Sequence, residues 1–247
     1  MTPSDRAPDF SGKTCSAPAA RSARMAELAL GHIPGDRPIR VLDIGCGTGS
    51  LVFRLAEARP NAHLVGLDIS SANIRAAEQA RLASSAGPRI AFAQADYLTF
   101  SADPFDAIVS DGVLHLIPGD TRALFARIAR GLRPGGVFVC GMPFDCGYNR
   151  VFALVRRGLR LVRSAALDGA ILLAARALHG REMDDASLRE RIDYMYMPPT
   201  RTLDRDTRER VAPSAGLRVI AQYPMRSSSP SQLRHNVTVF ERVDPVV

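Results

Sequence analysis

Apolar residues recur along this chain in two rhythms, and the exchange between them marks its elements. Ile39, Val41, Leu42 and Ile44 form a short apolar run suited to a strand covered on both faces, and Leu51, Val52, Leu55 and Ala56 then return at helical spacing. Residues 62–67, 90–94, 105–110 and 137–142 read as further buried strands, with a helix predicted over 71–82. Before the first strand, Met25, Leu28, Ala29 and Ile33 predict a helix over 21–33, stopped by Gly35 and Pro38 and expected to lie across the mouth of a ligand site. Residues 217–224 and 236–242 read as two β segments joined by a polar Ser-rich loop, with no helix between them. Strands alternating with helices predict an α/β fold.

The chain turns from its first strand into a helix through Asp43-Ile44-Gly45-Cys46-Gly47-Thr48-Gly49-Ser50. Glycines at alternate positions let the backbone turn sharply and let a ligand lie on the main chain beside a helix N-terminus. A dinucleotide fingerprint would place its third glycine at position 50, which is Ser50. Asp43, two residues ahead of Gly45, suits a cationic ligand group better than a pyrophosphate. The stretch resembles the first motif of the class I S-adenosylmethionine-dependent methyltransferases, D-x-G-x-G-x-G. The resemblance implies that the Asp43 region holds the methionyl amino group, and that Gly45, Cys46, Gly47 and Gly49 face the methionine moiety.

Three further segments extend it. Asp68, 19 residues beyond Gly49, ends the second strand, where a carboxylate can accept both hydroxyls of a ribose; helix capping is the alternative, though Ser70 could cap equally well. Ile69 follows as a cofactor contact. Asp96, with Tyr97 after the third strand, is implied to accept from the adenine amino group, against the alternative of a turn aspartate. Phe105-Asp106-Ala107-Ile108-Val109-Ser110, followed by Asp111-Gly112-Val113-Leu114-His115, resembles the family's fourth motif, a strand leading into a V-L-H segment beside the transferable methyl. Ser110 joins the implied cofactor set. Leu132-Arg133-Pro134-Gly135-Gly136 turns into the fifth strand as in the family, so the matched segments cover 41–143. The implied architecture is a Rossmann-like, seven-stranded, mostly parallel sheet flanked by helices and closed by an antiparallel hairpin. The implied cofactor is S-adenosyl-L-methionine, with S-adenosyl-L-homocysteine as product.

Composition narrows the partners. At 247 residues, 46% of them hydrophobic, the chain suits one methyltransferase domain over 21–247, behind a disordered segment over 1–20. The formal charge of +7 raises nucleic acid as a partner, yet the only lysine is Lys13 and the arginines alternate with acids, so no clustered footprint is present and nucleic-acid binding is not expected. Cys15, Cys46, Cys140 and Cys146 form neither a C-x-x-C pair nor a zinc pattern, so no metal is expected and a reducing cytoplasm is the simplest setting. No signal-type segment and no membrane span are expected.

Residues 144–204 exceed what one crossover helix needs, and the resemblance implies a helical lid over the substrate. Val151, Phe152, Leu154, Val155, Leu159 and Val162 predict its first helix, 171–178 a second and 186–194 a third. Arg156, Arg157, Arg160 and Arg163 are read as the solvated face of the first, with an acidic substrate or a membrane surface as the competing readings. Met183, Tyr194, Met195, Tyr196 and Met197 suit an apolar pocket or ordinary core. His115 is the candidate general base, with a packing or hydrogen-bonding histidine at the strand end as the alternative, and Tyr148 the candidate for holding or polarising the substrate. The expected function is methyl transfer to a small molecule, with macromolecule methylation, or a non-methylating use of the same cofactor, as alternatives. The acceptor, the atom methylated and the oligomeric state are not specified by any motif.

Overall fold

A computed structural model describes residues 17–179, 185, 188–189, 192–225 and 233–243. Its centre is a seven-stranded sheet of β1 (Ile39–Ile44), β2 (Ala62–Asp68), β3 (Ile90–Gln94), β4 (Phe105–Asp111), β5 (Leu132–Pro143), β6 (Leu217–Met225) and β7 (His235–Arg242), in the order β3-β2-β1-β4-β5-β7-β6. The first five strands run parallel, whereas β7 pairs antiparallel with both β5 and β6. Helices α1 (Ala19–Leu30), α2 (Ser50–Ala58), α3 (Ser71–Leu82) and α4 (Thr121–Gly131) flank the sheet. The expected turn at 133–136 is absorbed into β5 as an irregularity: Phe105 pairs with Leu132, and the ladder resumes at Ala107 with Val137.

Period-2 alternation sends each strand's side chains to two cores. Val41, Val109, Val139 and Val237 pack with Met25 and Ala29 of α1 and with Val52 and Leu55 of α2. Leu42, Ile108, Phe138 and Phe240 pack with Leu124, Phe125 and Ile128 of α4. There Phe138 and Phe240 stack at 5.6 Å, and Phe125 meets Phe240 edge-on at 5.7 Å. Both faces are covered, which is why these strands read as continuous apolar runs.

The expected disordered segment lies outside the described residues for 1–16, while Ala19 and Ala20 already belong to α1. In the segment expected to form a lid, 144–204, stand α5 (Gly147–Leu161) and α6 (Ala165–His179), then a 3-10 turn over Ile192–Tyr196. Met183 and part of the expected third lid helix fall outside the described residues, as does the Ser-rich loop over 226–232. Arg163 ties this segment together by bonding Asp193 at 2.6 Å and Asp168 at 3.3 Å, and Tyr196 donates to Asp168 at 2.5 Å. Among the described residues no helix is long and apolar enough to cross a membrane.

Asp106 secures the amino edge of the sheet, away from the glycine turn. Its side chain is 1% exposed, and its carboxylate accepts the Arg40 N–H and the Arg133 guanidinium, each at 2.9 Å, with Arg37 at 2.8 Å. Burial pushes its carboxyl up, but the three donors together outweigh burial and hold it below the ordinary value of 3.8. Its stabilisation is therefore fully present above the unfolded value and is lost as pH falls through the lower folded one. Asp106→Ala, which strands the Arg40 N–H and releases two half-exposed guanidinium groups to water, is expected to cost roughly 1–3 kcal/mol in urea unfolding at pH 7, with the difference from wild type shrinking in strong acid.

Candidate active site

Strand order reverses between β1 and its two neighbours, β2 and β4, so a crevice opens at their carboxyl ends. The glycine turn lines it. Gly45 and Cys46 both donate N–H to the Leu67 carbonyl at 2.8 Å, and Gly47 donates to Asp68 Oδ2 at 2.9 Å. Gly45 has φ +74°, and a Cβ there would collide with the Val113 side chain. The loop after β4 is thereby seated directly on the glycine turn, which brings Leu114 and His115 close to it.

Asp68 has two structural tasks besides any ligand. Oδ1 accepts from the Ser70 N–H at 2.8 Å and the Asn73 amide at 3.1 Å, while Oδ2 holds Gly47. Ser70 caps α3 by accepting from Asn73 N–H at 3.2 Å, so Asp68 braces the turn rather than serving as the cap. Ile69 is exposed beside it. The exposed Asp96 forms a turn, accepting the Leu98 N–H at 2.8 Å.

Three sequence expectations need correction or recasting. Tyr97 is 6% exposed and packs in the α4 core, where the Arg127 guanidinium lies 5.3 Å over its ring, so the ring is taken up by packing. The Ser110 hydroxyl is buried and donates to the Ile44 carbonyl at 3.0 Å, so it fastens β4 to β1. Cys46 is a buried thiol whose pKa is driven up by burial and by Asp43 and Asp68, so it stays neutral. Its Sγ packs close to Gly66.

Acid gathers on this side of the crevice. Asp43 is 3% exposed, and burial, with Asp111 and Asp68 nearby, pushes its carboxyl well above the ordinary range. Arg21 of α1 pairs with Asp111 in a two-pronged bond, Nε to Oδ2 at 2.7 Å and Nη2 to Oδ1 at 2.5 Å. Asp43 has no such partner among the described residues. A cationic ligand would offset the cost of holding a carboxylate there.

The family described as "Methyltransferase domain" matches residues 36–156. Those residues are a class I S-adenosylmethionine-dependent methyltransferase domain. Trans-aconitate 2-methyltransferase of Azoarcus sp. is 36% identical over 121 residues, 49% of this chain and 45% of its own length; that of Methylobacterium radiotolerans is 35% identical over 150 residues, 60% and 52%. The chain thus spans about half the length of these curated relatives. Among solved structures, the N-methyltransferase NodS of Bradyrhizobium japonicum aligns over 91% of this chain and 96% of its own at TM-score 0.55 and 20% identity. The 1,6-didemethyltoxoflavin-N1-methyltransferase of Burkholderia thailandensis aligns over 92% and 80% at TM-score 0.59 and 16% identity, and both establish the fold. The family's cofactor is S-adenosylmethionine, and the unpaired acid at Asp43 beside the glycine turn fits its cationic methionine end.

The other side of the methyltransferase crevice is basic. His115 is 5% exposed, its carbonyl accepts both the N–H and the hydroxyl of Thr200 at 2.8 Å, and its Nδ1 has no partner among the described residues. Burial first, then His235, Arg156, Arg21 and Arg201, hold its imidazole well below the usual range. This removes the near-neutral titration on which the general-base expectation rests. Tyr148, in the first turn of α5, stacks on Phe152 at 5.7 Å and lies under the Arg234 guanidinium at 4.8 Å.

Sequence reading missed Arg21, His235, Arg201 and the true setting of Arg156. His235 opens β7 as a lone histidine without a motif. Arg156 is 7% exposed, against the expected solvated face; it donates to the Met197 carbonyl at 3.1 Å and lies 4.8 Å over Phe152. Its helical spacing from Asn149 and Phe152 was the available signal, because residues three and four apart share a face.

Asp43→Asn separates the two faces of this site. Because the folded carboxyl titrates above its unfolded value, its favourable contribution is present below that value and is lost as pH rises toward the folded one. The amide avoids this loss, so the cofactor-free variant is expected to melt higher at pH 7 while binding S-adenosylmethionine at least about tenfold more weakly by calorimetry. Unchanged affinity would remove Asp43 from the cofactor site.

Proposed function

We propose that the chain transfers the methyl group of S-adenosylmethionine by in-line displacement to a small-molecule acceptor. The observation that carries this reading is the seating of Val113 on Gly45, which sets the His115 loop against the cofactor turn. The cofactor, when bound, supplies a methyl already activated on a sulfonium, so the chain's task is close approach, alignment and exclusion of water. Asp43 provides the negative charge for the methionine end. Asp68 holds the turn in shape and keeps lone pairs for the ribose, while Ile69 offers an apolar edge.

On the acceptor side, His115 stands as a neutral imidazole that orients the acceptor by hydrogen bonding, and Tyr148 helps to close the pocket from α5. Thr200, at the end of the lid segment, is bonded to the carbonyls of His115 and Ile117, and a lid tied down on the β4 loop favours a small acceptor over a macromolecule. The curated relatives are named for a small organic molecule, which supports the same class. The free thiols of Cys46, Cys140 and Cys146 fit a reducing cytoplasm.

Calorimetric titration with S-adenosylmethionine and S-adenosylhomocysteine tests the reading. Both are expected to bind, with affinity falling at least about tenfold in Asp68→Ala, which loses the brace on Gly47; binding of neither would overturn it. Once screening has found an acceptor, His115→Ala is expected to lower turnover roughly tenfold or more while cofactor affinity stays within about twofold. Unchanged turnover would dismiss its place beside the acceptor.

A further inference from the structure

Four buried side chains around the acceptor side hold polar atoms with no partner among the described residues: His115 Nδ1, His235 Nε2, Arg156 Nε and Arg201 Nε. Each of these residues is more than nine-tenths buried. Stranded donors and acceptors in one region are costly, and in a native protein they call for a missing partner. The two imidazoles meet edge-on with ring centroids 5.7 Å apart. His235 Nδ1 donates to the Leu233 carbonyl at 2.8 Å, so Nε2 is left as an unpaired acceptor, which a donor group and not an anion would satisfy. Burial, with Arg21 and Arg156 close by, holds the His235 pKa down to about 3, so the ring is neutral.

The cations around this pair differ in how far they are already committed. Arg21 is spent on Asp111, and both terminal nitrogens of Arg201 go to carbonyls, Leu114 at 3.3 Å and Gly119 at 2.8 Å. Arg156 bonds from Nη1 to Met197, and has no carboxylate within ion-pairing distance among the described residues. Burial lowers its pKa to about 10, a sign that its charge is poorly compensated. Arg156 is tied to both histidines by short chains of bonds: it holds the Met197 carbonyl three residues before Thr200, which bonds the His115 carbonyl, and Asn149 on the same helix bonds the backbone of Arg234, next to His235.

We propose that the acceptor carries a carboxylate, and that Arg156, with His115 beside it, receives it. This rests on the methyl-transfer reading and names its substrate class. One uncommitted guanidinium with a free Nε suits a singly charged, planar, two-oxygen group; a phosphate, with nearly two charges and three acceptor oxygens, would leave oxygens unmatched. The crevice then has opposite polarity at its ends. Asp43 awaits a cation and Arg156 awaits an anion, while of the Arg21–Asp111 pair the carboxylate acts on Asp43 and the guanidinium on His115.

The test uses the full chain saturated with S-adenosylhomocysteine, titrated by calorimetry with acetate, glutarate, tricarballylate and benzoate, with their amides, and with inorganic phosphate. The first step, saturation itself, reports on the cofactor reading: failure there counts against methyl transfer and is distinct from failure of the acid titrations. At least one acid is expected to bind while its amide and phosphate do not. Arg156→Gln is expected to weaken that acid about tenfold or more, with S-adenosylhomocysteine affinity unchanged, Arg156→Lys recovering part of the loss, and Arg157→Gln on the exposed face without effect. Melting curves establish that each variant is folded, and Arg156→Lys carries the comparison should the glutamine variant unfold. Absence of binding by every acid, equal binding by wild type and Arg156→Gln, or phosphate bound as tightly as the best acid would each overturn the proposal.

Discussion

The two-pronged bond between Arg21 and Asp111 is the constraint on which the crevice depends. Asp111 ends β4, and Arg21 reaches it from the first turn of α1, so a helix that precedes the sheet in sequence is tied across the carboxyl ends of its central strands. The same bond sits at a boundary of charge. On β1 and β2 stand Asp43 and Asp68, whose like charges bear on one another; after β4, at the start of β7 and on α5 stand His115, His235 and Arg156. An ion pair shared by both halves lets acid and base crowd one crevice without neutralising each other outright, because Asp111 and Arg21 satisfy each other first.

Stability and chemistry are kept at opposite edges of the sheet. Asp106 at the amino edge accepts an N–H and meets two arginines, and its carboxyl is driven down. Asp43 at the carboxyl edge has no such company, and its carboxyl is driven up. Both are buried aspartates on neighbouring parallel strands, and the donors around each decide which stabilises the fold and which waits for a ligand. A site that holds uncompensated charge lowers the stability of the free protein, and the well-paired amino edge and the packed aromatic cluster of Phe125, Phe138 and Phe240 offset it.

The glycine turn shows how closely local geometry serves packing as well as ligand. Gly45 is required by its positive φ and equally by Val113, which occupies the space a Cβ would need. The turn and the loop after β4 are therefore one unit. Movement in either is transmitted to the other by direct contact, which couples the cofactor turn to the segment carrying His115.

The order of apolar runs, the glycine turn with Asp43, and the segments through Pro143 determined by themselves the strand sequence, the class of fold and the cofactor, because each is a local signal: side-chain period, backbone conformation, and a carboxylate at a strand end. The terminal hairpin was legible for the same reason. Tertiary structure alone decided what the polar side chains do. Ser110 and Tyr97 occupy expected positions, yet one hydroxyl is consumed by Ile44 and one ring by the core under Arg127. His115 looks like a base in sequence and is held neutral by burial, reinforced by basic side chains from four distant segments. Arg156 and His235 lie 79 positions apart and carry no motif. Their shared site exists only because β7 returns beside β5, next to the helix that follows it, and charge depends on such neighbours in space, which a linear pattern does not record.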